Sequence, residues 1–469
     1  MPAFEDKVKA LAERATRNNI WRGSETINLI PSENTPSPLV KLLEISDPAG
    51  RYAEHETAKG REVYYYQGTQ SFIRPIEEEV VREMMDFLGA TLVEPRPTSG
   101  AMANGILYQA ITRHLGRKIN LVLANDLIKG GHLTHRSSGN LFQCVELDSD
   151  GKEKIIIIPT HPDNPYKADE RKLAELILDK QPELSIFGKS MILFPDPVPY
   201  VRELVNSNNL NTIIMKDDAH PLGLNDQLPV PLQGAHFLTG STHKTYFGTQ
   251  RGIIASSLTK EHPHYPIWTH IKRRAFPGNV SNHHLGTLLG LLMASYEMNE
   301  FKGAYQAQVR SNAKTFARAL KAQSIQVEGE ADGFTETHQV LINVRQYGGG
   351  IGISERLENN NLVTNYQALP YDGDFKDPSG IRMGVQEMTR YGMKEKDFEQ
   401  LAVYVADAIK GVDVKDAVIR FRKNFLQMQY TIEPERGAPL AAKLLSSIMP
   451  DSEYAKRFAE NFMGLVSAR

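Results

Sequence analysis

Short aliphatic runs alternate with longer amphipathic segments along most of the chain. The runs have the length of strands, and apolar residues recur at helical spacing in the segments between them. Strands are predicted over 121–124, 155–158, 191–194, 212–215, 237–239, 253–255 and 340–344. Helices are predicted over 76–88, 101–114, 169–179, 201–207, 284–298, 304–322 and 397–409. Because the strands are separated by helices, we expect an α/β fold with a mostly parallel central sheet.

The pattern also divides the chain into three parts. Residues 1–45 are predicted to form a helical arm, whose first helix carries Phe4, Val8, Leu11 and Ala15 on one face. Residues 46–300 contain most of the strand–helix alternation and are predicted to be the large, ligand-binding domain. Residues 301–469 are predicted to be a smaller α+β domain with a helical tail.

Composition and charge exclude several classes of function. The chain has 469 residues, 54 of them basic and 56 acidic, which gives a net charge of −2. This balance gives no reason to expect nucleic acid or an anionic membrane as a partner. The longest aliphatic run, at 155–158, is far shorter than the ~20 residues that span a bilayer. A lone cysteine excludes an intrachain disulfide, and the acidic N-terminus does not read as a signal peptide, so we expect a cytoplasmic protein.

Residues 239–245, Thr-Gly-Ser-Thr-His-Lys-Thr, follow a predicted buried strand and place a lysine among hydroxyl groups. Burial and nearby positive charge would keep part of the Lys244 amine neutral, as imine formation requires. Thr242 and His243 are the polar groups beside it, where a phosphate could also bind. Taken alone, the segment fits a surface lysine after a strand equally well.

Asp217 and Asp218 stand at the carboxyl end of the predicted strand 212–215, where α/β sheets bind ligands. One carboxylate there could keep a pyridinium nitrogen protonated, or it could cap the next turn. Only one further strand, 237–239, is predicted between Asp217 and Lys244. This joint arrangement is more specific than either residue alone.

Three further segments supply groups of the right kind. Ser99 and Gly100 precede a predicted helix and could bind a phosphate, although an ordinary N-cap has the same pattern. His132 follows two glycines and could lie flat against a ring. With His135 it could instead bind a metal, but no acidic or cysteine motif accompanies the pair, and we predict no metal site. Arg382 could hold a small carboxylate through two hydrogen bonds, or form a surface ion pair.

Taken together and in this order, these segments resemble the serine hydroxymethyltransferase family over about residues 28–409. The matching motifs are Leu29-Ile-Pro-Ser-Glu-Asn34, Arg51-Tyr-Ala-Glu54, Tyr65-Tyr66, Ser99-Gly100, Gly-Gly-His-Leu-Thr-His at 130–135, Asp217-Asp-Ala-His220, Thr242-His-Lys-Thr245, Ala275-Phe-Pro-Gly278 and Ser379-Gly-Ile-Arg382. The resemblance implies the fold of type-I pyridoxal-phosphate enzymes, with a large domain around the sheet and a smaller C-terminal α+β domain. It also implies pyridoxal 5'-phosphate as the cofactor and a homodimer with shared active sites.

The resemblance further implies roles for individual residues. Lys244 matches the lysine that carries the cofactor as a Schiff base, and Asp217 matches the aspartate that pairs with the pyridine nitrogen. His132 matches the histidine stacked on the ring, and His220 the one near the phenolic oxygen. The other implied roles are cofactor contacts for Ser99, Gly100, Thr242 and His243, substrate carboxylate binding for Arg382 and Ser32, acid–base catalysis for Glu54, and active-site tyrosines supplied across a dimer interface for Tyr52 and Tyr65.

The sequence departs from the family pattern where the folate is held. The stretch between Glu54 and Tyr65 is about four residues longer than usual, 366–370 reads Tyr-Gln-Ala-Leu-Pro, and 384–387 reads Gly-Val-Gln-Glu. No serine stands in 194–196, and the glycine-rich stretch after Phe-Pro-Gly reads Asn-Val-Ser-Asn at 279–282. The residues at the cofactor are mostly retained.

Two enzyme readings therefore stay open. The first is a transferase that cleaves and forms the Cα–Cβ bond of a β-hydroxy-α-amino acid, transferring the hydroxymethyl group of serine or α-methylserine to tetrahydrofolate. The second is a folate-independent L-threonine aldolase or transaldolase, which passes a glycyl unit to another aldehyde. An inactive regulatory or RNA-binding descendant belongs to a different class, and the presence of Lys244, Asp217 and Arg382 argues against it.

Overall fold

The computed structural model describes residues 3–58, 60–135, 139–225 and 231–467. Its strands form a large central sheet, a smaller C-terminal sheet and three short pairs. In chain order the strands are β1 (Ile27–Asn28), β2 (His55–Ala58), β3 (Arg61–Tyr64), β4 (Leu92–Glu94), β5 (Val122–Ala124), β6 (Ile155–Ile157), β7 (Thr160–His161), β8 (Asn164–Ala168), β9 (Leu184–Phe187), β10 (Ile213–Asp218), β11 (Phe237–Ser241), β12 (Gly252–Ser256), β13 (Gln326–Val327), β14 (Gln339–Asn343), β15 (Leu362–Val363), β16 (Asn365–Gln367) and β17 (Gly380–Gly384).

The helices cover both ends of the chain and the segments between the strands of the central sheet. In chain order they are α1 (Phe4–Ile20), α2 (Pro38–Glu44), α3 (Gln70–Leu88), α4 (Gly100–Leu115), α5 (Glu170–Lys180), α6 (Val198–Ser207), α7 (Pro266–Arg273), α8 (Leu285–Ala322), α9 (Gly350–Asn359), α10 (Gln386–Arg390), α11 (Glu395–Ile409), α12 (Lys415–Arg422), α13 (Pro434–Ile448) and α14 (Ser452–Ser467).

The central sheet has the strand order β4-β12-β11-β10-β9-β5-β6 within the described residues. Strands β11, β10, β9, β5 and β6 run parallel, and β12 is antiparallel to both β11 and β4. Every residue of β9 to β12 is buried, as expected for strands that helices cover on both faces. The predicted α/β class with a mostly parallel central sheet is confirmed.

The second sheet is antiparallel, in the order β13-β14-β17-β16, and follows the long helix α8. The sequence predicts two helices, 284–298 and 304–322, where the structure has α8 alone. A glycine inside a helix, here Gly303, costs only about 1 kcal/mol relative to alanine. Burial along α8 against α2, α3 and α11 outweighs that cost. Because α8 crosses residue 300, no break marks the predicted boundary there, and the division into 1–45, 46–300 and 301–469 stays a prediction.

The strand predicted at 191–194 is wrong, and the strand in this region is β9, earlier in the chain. Backbone groups of 191–194 form hydrogen bonds with residues 336 and 337, just before β14 of the second sheet, and do not continue a strand of the central sheet. The Ile192 carbonyl oxygen accepts from Thr337 Oγ1 at 2.5 Å, and the Leu193 carbonyl oxygen accepts from the Glu336 N–H at 2.8 Å. The aliphatic run therefore lies in a seam between the two sheets.

The two ends of the chain are helical, as predicted, and carry exposed apolar side chains. None of the residues of α1 is buried, and Phe4, Val8 and Leu11 are all exposed. The tail contains α12, α13 and α14, and Phe458 and Phe462 of α14 are also exposed. Among the described residues, no helix combines the length and apolar character needed to cross a bilayer.

Three histidines, His236, His262 and His264, form a cluster with ring centroids 5.1 to 5.3 Å apart. The Ile214 N–H donates to His236 Nδ1 at 2.9 Å. Burial lowers the pKa of His236 to about 2 and that of His264 to about 4. An unfolded histidine has a pKa near 6.5, so below that pH the unfolded chain binds more protons than the folded one, and stability falls as the pH drops.

We therefore expect His236→Asn to reduce the acid sensitivity of folding. Asparagine keeps an acceptor for the Ile214 N–H and removes the titrating ring. Between pH 8 and pH 5.5 the parent should lose about 1.4 kcal/mol more unfolding free energy than the variant, because the unfolded histidine alone binds a proton in that interval. Urea denaturation at the two pH values measures this difference. His161→Asn is the control, because His161 is exposed and its Nδ1 also accepts a backbone N–H; equal behaviour of the two variants would contradict the prediction.

Candidate active site

A cavity of about 530 Å³ lies at the carboxyl ends of the central parallel strands. Asp217 comes from the end of β10, Lys244 from the turn after β11, and His132 from the loop after β5. Because β10 and β11 are parallel neighbours, both chain ends reach the same edge of the sheet. His220 and Gly100 also line the cavity. This is the position where open α/β sheets bind ligands.

Lys244 is held in a tightly bonded turn. The Lys244 carbonyl oxygen accepts from Asn34 Nδ2 at 2.7 Å, and the carbonyl of the next residue, Thr245, accepts from the Tyr305 hydroxyl at 3.0 Å. Burial lowers the pKa of the Lys244 amine to about 8. The Asp217 carboxylate raises this pKa, whereas the Arg382 guanidinium lowers it. Roughly a tenth of the amine is therefore neutral at pH 7. A partly neutral buried amine is the state that imine formation requires.

The Asp217 carboxylate is the centre of a buried polar cluster. His132 Nδ1 lies 2.6 Å and His135 Nε2 3.1 Å from Asp217 Oδ2, and Asn104 Nδ2 donates to the same oxygen at 2.8 Å. The Ala219 N–H donates to Oδ1 at 2.9 Å. Burial by itself would raise the pKa of Asp217, but the two histidines hold it well below its usual range. The cavity therefore has a permanently ionised carboxylate in its wall.

The same cluster bears on the metal prediction. One ligand atom each of His132, His135 and Asp217 lies within 4.8 Å of the others, so the three could hold a divalent cation. The structure thus supplies the acidic partner that was not identified in the sequence. The Asp217 oxygen that would bind the ion already accepts the Asn104 amide. The absence of a metal site stays a prediction.

The start of α4 forms a second polar region at the cavity. The Ser99 hydroxyl caps the helix by accepting from the Met102 N–H at 3.1 Å. A Cβ atom on Gly100 would lie 2.4 Å from Ser241 Oγ, so a side chain there would require the Ser241 hydroxyl to move. Free N–H groups and a favourable dipole at this end of a 16-residue helix suit a phosphate.

Arg382 lies beside the cavity on β17. Its Nη1 donates to the Ser190 carbonyl oxygen at 2.6 Å, and Ser190 lines the cavity. Its Nε donates to Asn365 Oδ1 at 3.4 Å. Only 8% of the residue is exposed, and burial lowers the pKa of its guanidinium to about 10. Within the described part of the chain no carboxylate pairs with Arg382, so a carboxylate ligand would supply its missing counter-charge.

The three predicted residues Tyr52, Glu54 and Tyr65 lie elsewhere, at the base of the β2–β3 hairpin. The Tyr65 N–H donates to the Glu54 carbonyl oxygen at 2.9 Å, and Ser281 Oγ donates to the Glu54 carboxylate. About half of each tyrosine is exposed. None of the three is among the described residues that line the Lys244 cavity of the single chain. The extension of about four residues between Glu54 and Tyr65 falls within this hairpin.

Three more predicted residues are also placed outside this cavity. Ser32 and His243 line a second cavity of about 880 Å³. The Thr242 hydroxyl donates to the Thr249 carbonyl oxygen at 2.7 Å and thereby fixes the turn that carries Lys244. Their predicted contacts with cofactor or substrate stay predictions.

Sequence reasoning missed several residues that the structure brings to the site. Asn104 and His135 lie within motifs that were noticed, but nothing in the pattern showed that both reach Asp217. The Gln339 side chain contacts His220, and no motif marks it. Tyr366 and Phe375 line the cavity from the C-terminal part of the chain, and only the alignment of 366–370 with the folate region pointed there.

These features fit pyridoxal phosphate. A lysine amine with a lowered pKa and an ionised carboxylate line one cavity, whose volume of about 530 Å³ falls within the range typical of small-molecule sites. Gly100 places the start of α4 in the cavity wall, where helix N–H groups can bind a phosphate. A carboxylate held ionised is what a protonated pyridine nitrogen requires.

Comparisons with known proteins agree with this fit. The model of a family described as serine hydroxymethyltransferase matches residues 6–405. A serine hydroxymethyltransferase of Pyrobaculum neutrophilum is 38% identical over 428 residues, covering 90% of this chain and 94% of the relative. One of Staphylothermus marinus is 38% identical over 438 residues, covering 90% and 93%. The crystal structure of an L-threonine transaldolase from Pseudomonas fluorescens superposes with a TM-score of 0.78 at 26% identity, covering 96% of this chain and 98% of that one.

We expect imine formation between Lys244 and pyridoxal phosphate to rise with pH and to be half-maximal near pH 8, where burial places the pKa of the amine. Asp217→Asn should move this midpoint to lower pH by about one unit, because the carboxylate raises the pKa of Lys244. Borohydride trapping at a series of pH values, followed by peptide mass spectrometry, gives the midpoint. Labelling of the exposed Lys260 is the internal reference. A midpoint that stays in place or rises in the variant would contradict the prediction.

Proposed function

Since the chain belongs to the serine hydroxymethyltransferase family, we propose that the cavity around Lys244 is its active site. The protein is a pyridoxal-phosphate-dependent enzyme of the transferase and aldolase type, which cleaves and forms the Cα–Cβ bond of a β-hydroxy-α-amino acid. The observation that carries the assignment of the site is the presence of the Lys244 amine and the Asp217 carboxylate in the wall of one cavity.

Four residues in the cavity wall would hold the cofactor in this proposal. Lys244 would bind it through its neutral amine, and the Asp217 carboxylate would favour the protonated form of its ring nitrogen. His132, beside Asp217, would contact the ring, and His220 would contact the phenolic oxygen. When bound, pyridoxal phosphate supplies an electron sink for the carbanion that Cα–Cβ cleavage leaves.

The remaining groups bind the amino acid and exchange its proton. Arg382 holds the substrate carboxylate and so turns the Cα–Cβ bond to the orientation in which it is cleaved. The N-terminus of α4, through Ser99 and Gly100, holds the phosphate. Glu54 takes the proton of the β-hydroxyl group when the bond breaks and returns it in the reverse direction.

Serine is the substrate that the names of the relatives print. Transfer of its hydroxymethyl group to tetrahydrofolate, which leaves glycine, is the first candidate reaction. A second candidate is transfer of a glycyl unit to another aldehyde. Two observations favour it. A structural neighbour is an L-threonine transaldolase, and Tyr366, Gln367 and Ala368, which stand where the family pattern holds folate, line the cavity directly.

The acceptor can be tested on the purified enzyme. We expect glycine to form from serine only when tetrahydrofolate is present, and Arg382→Ala to raise the KM for serine about 100-fold, because a charge-assisted contact is lost. Lys244→Arg gives the background rate. If tetrahydrofolate has no effect, while threonine and a second aldehyde yield a new β-hydroxy amino acid, the second candidate is correct instead. An enzyme that remains colourless with added pyridoxal phosphate would exclude both.

We further propose a homodimer in which the β2–β3 hairpin of one chain completes the cavity of the other. Tyr52 and Tyr65 are about half exposed and Glu54 is only partly buried, although the family resemblance gives all three a place at the substrate. The exposed apolar face of α1 offers additional surface for a second copy.

Mixed dimers test this arrangement. Lys244→Ala and Glu54→Gln homodimers should each be nearly inactive, because every site lacks one essential group. In a mixed dimer with shared sites, one site lacks both groups and the other has both. Random exchange between equal amounts of the two variants should therefore restore about a quarter of the parent activity. No recovery after exchange, with mixed dimers verified by mass, would show that each chain supplies its own Glu54.

A further inference from the structure

The buried side chain of Gln339 links the second sheet to the active site. It stands on β14 and reaches the segment 190–192 that follows β9. Gln339 Oε1 accepts from the Ile192 N–H at 3.1 Å, and Gln339 Nε2 donates to the Ser190 carbonyl oxygen at 3.0 Å. The same Nε2 lies 3.2 Å from His220 Nδ1. One amide group thus contacts a backbone donor, a backbone acceptor and a cavity histidine.

The two backbone contacts fix the orientation of the amide. A backbone N–H can only donate and a carbonyl oxygen can only accept, so exchanging the amide oxygen and nitrogen would break both bonds. The nitrogen of Gln339 therefore faces His220. Because an amide nitrogen is only a donor, His220 Nδ1 must be the acceptor.

His220 is surrounded by positive or neutral groups that keep it uncharged. Lys244, Arg382, His338 and His132 face it, and burial together with these groups holds the pKa of His220 well below its usual range. A neutral imidazole has one proton. With Nδ1 accepting from Gln339, that proton is on Nε2, and His220 lines the cavity.

We propose that Gln339 is a positioning residue that selects the Nε2–H form of His220, so that His220 is a hydrogen-bond donor to the phenolic oxygen of the cofactor. This inference rests on the proposed function, because it needs the cofactor in the Lys244 cavity. The hydrogen-bond partner of one histidine ring nitrogen determines whether the other ring nitrogen has a proton to donate.

The same amide also connects His220 to the substrate-binding arginine. The Ser190 carbonyl oxygen accepts from both Gln339 Nε2 and Arg382 Nη1. Gln339 and Arg382 stand on adjacent strands, where Leu341, two residues after Gln339, is paired with Arg382. Gln339 therefore fixes the distance between a proton donor for the cofactor and a cation for the substrate.

A purely structural role of Gln339 can be separated from a role through His220. Thr337 makes a similar contact across the same seam, because its Oγ1 donates to the Ile192 carbonyl oxygen at 2.5 Å. Thr337 and Ile192 make no hydrogen bond to His220 among the bonds of the described residues. Thr337 Oγ1 also accepts from the Gln339 N–H at 3.2 Å. Thr337→Val is therefore a control that removes this backbone bond together with the seam bond to Ile192 and keeps the Gln339 side-chain amide.

The test compares Gln339→Met, Gln339→Glu and Thr337→Val holoenzymes. Gln339→Met keeps the volume but cannot donate to Nδ1, and we expect kcat to fall about tenfold or more. In Gln339→Glu a carboxylate faces His220 Nδ1, which then takes a proton. The midpoint of the acidic transition in the absorbance of the bound cofactor should therefore move to higher pH by about one unit. Thr337→Val should change neither kcat by more than about twofold nor the pH titration.

A double-mutant cycle with His220→Asn keeps the proposal testable even if a single variant is less stable. If Gln339 acts through His220, adding Gln339→Met to His220→Asn should lower kcat by less than about twofold further. Fully additive effects in the cycle, or a Gln339→Glu titration identical to that of the parent, would overturn the proposal. Absence of the cofactor band from the parent enzyme would instead mark failure of the proposed function.

Discussion

Asp217 keeps an ionised carboxylate at a place where only 2% of the residue is exposed. Leaving such a charge unpaired in a protein interior costs several kcal/mol, so its hydrogen-bond partners must be held in place. They come from two segments: Asn104 from α4, and His132 and His135 from the loop after β5. The Asn104 side chain is in turn fixed by Thr239 of β11, at 2.6 Å. The requirement to keep one carboxylate ionised therefore positions four segments around the cavity.

The same charge sets the electrostatic balance of the site. Asp217 raises the pKa of Lys244, whereas burial and Arg382 lower it, so the amine lies near the boundary between its two protonation states. The buried histidines His220 and His338 have lowered pKa values, because burial and the neighbouring cations disfavour a further positive charge. Two basic residues, Lys244 and Arg382, face the single carboxylate of Asp217, so the cavity favours ligands that bring negative charge. A phosphate together with an amino-acid carboxylate meets that requirement.

Short-range patterns in the sequence predicted the elements that local periodicity determines. The strands that carry Asp217 and precede Lys244 were predicted within a few residues, because aliphatic runs mark fully buried strands. The run at 191–194 has the same composition, yet its hydrogen-bond partners lie about 145 residues further on, and no local pattern reports them. Gln339 could not be found for the same reason, since its contacts with Ser190 and His220 exist only after the two sheets pack.

Two departures from the family pattern, which are far apart in the sequence, form one structural change. The extended β2–β3 hairpin and the segment 279–282 are in contact: Asn282 Nδ2 donates to the Arg51 carbonyl oxygen at 2.6 Å, and Ser281 donates to Glu54. Glycine residues have no side chain with which to make either bond, so both bonds at the base of the hairpin depend on the polar replacements. His283, next in the chain, bonds to Glu77 at 2.7 Å, and Glu77 also accepts from Tyr64 at the end of the hairpin. The position of the Glu54 carboxylate therefore depends on this altered region, whereas Asp217 and Lys244 lie in segments that match the family pattern. The departures from the family pattern therefore lie around Glu54 and at 366–370, where Tyr366 lines the cavity, and they leave the Lys244 amine and the Asp217 carboxylate together in the cavity wall.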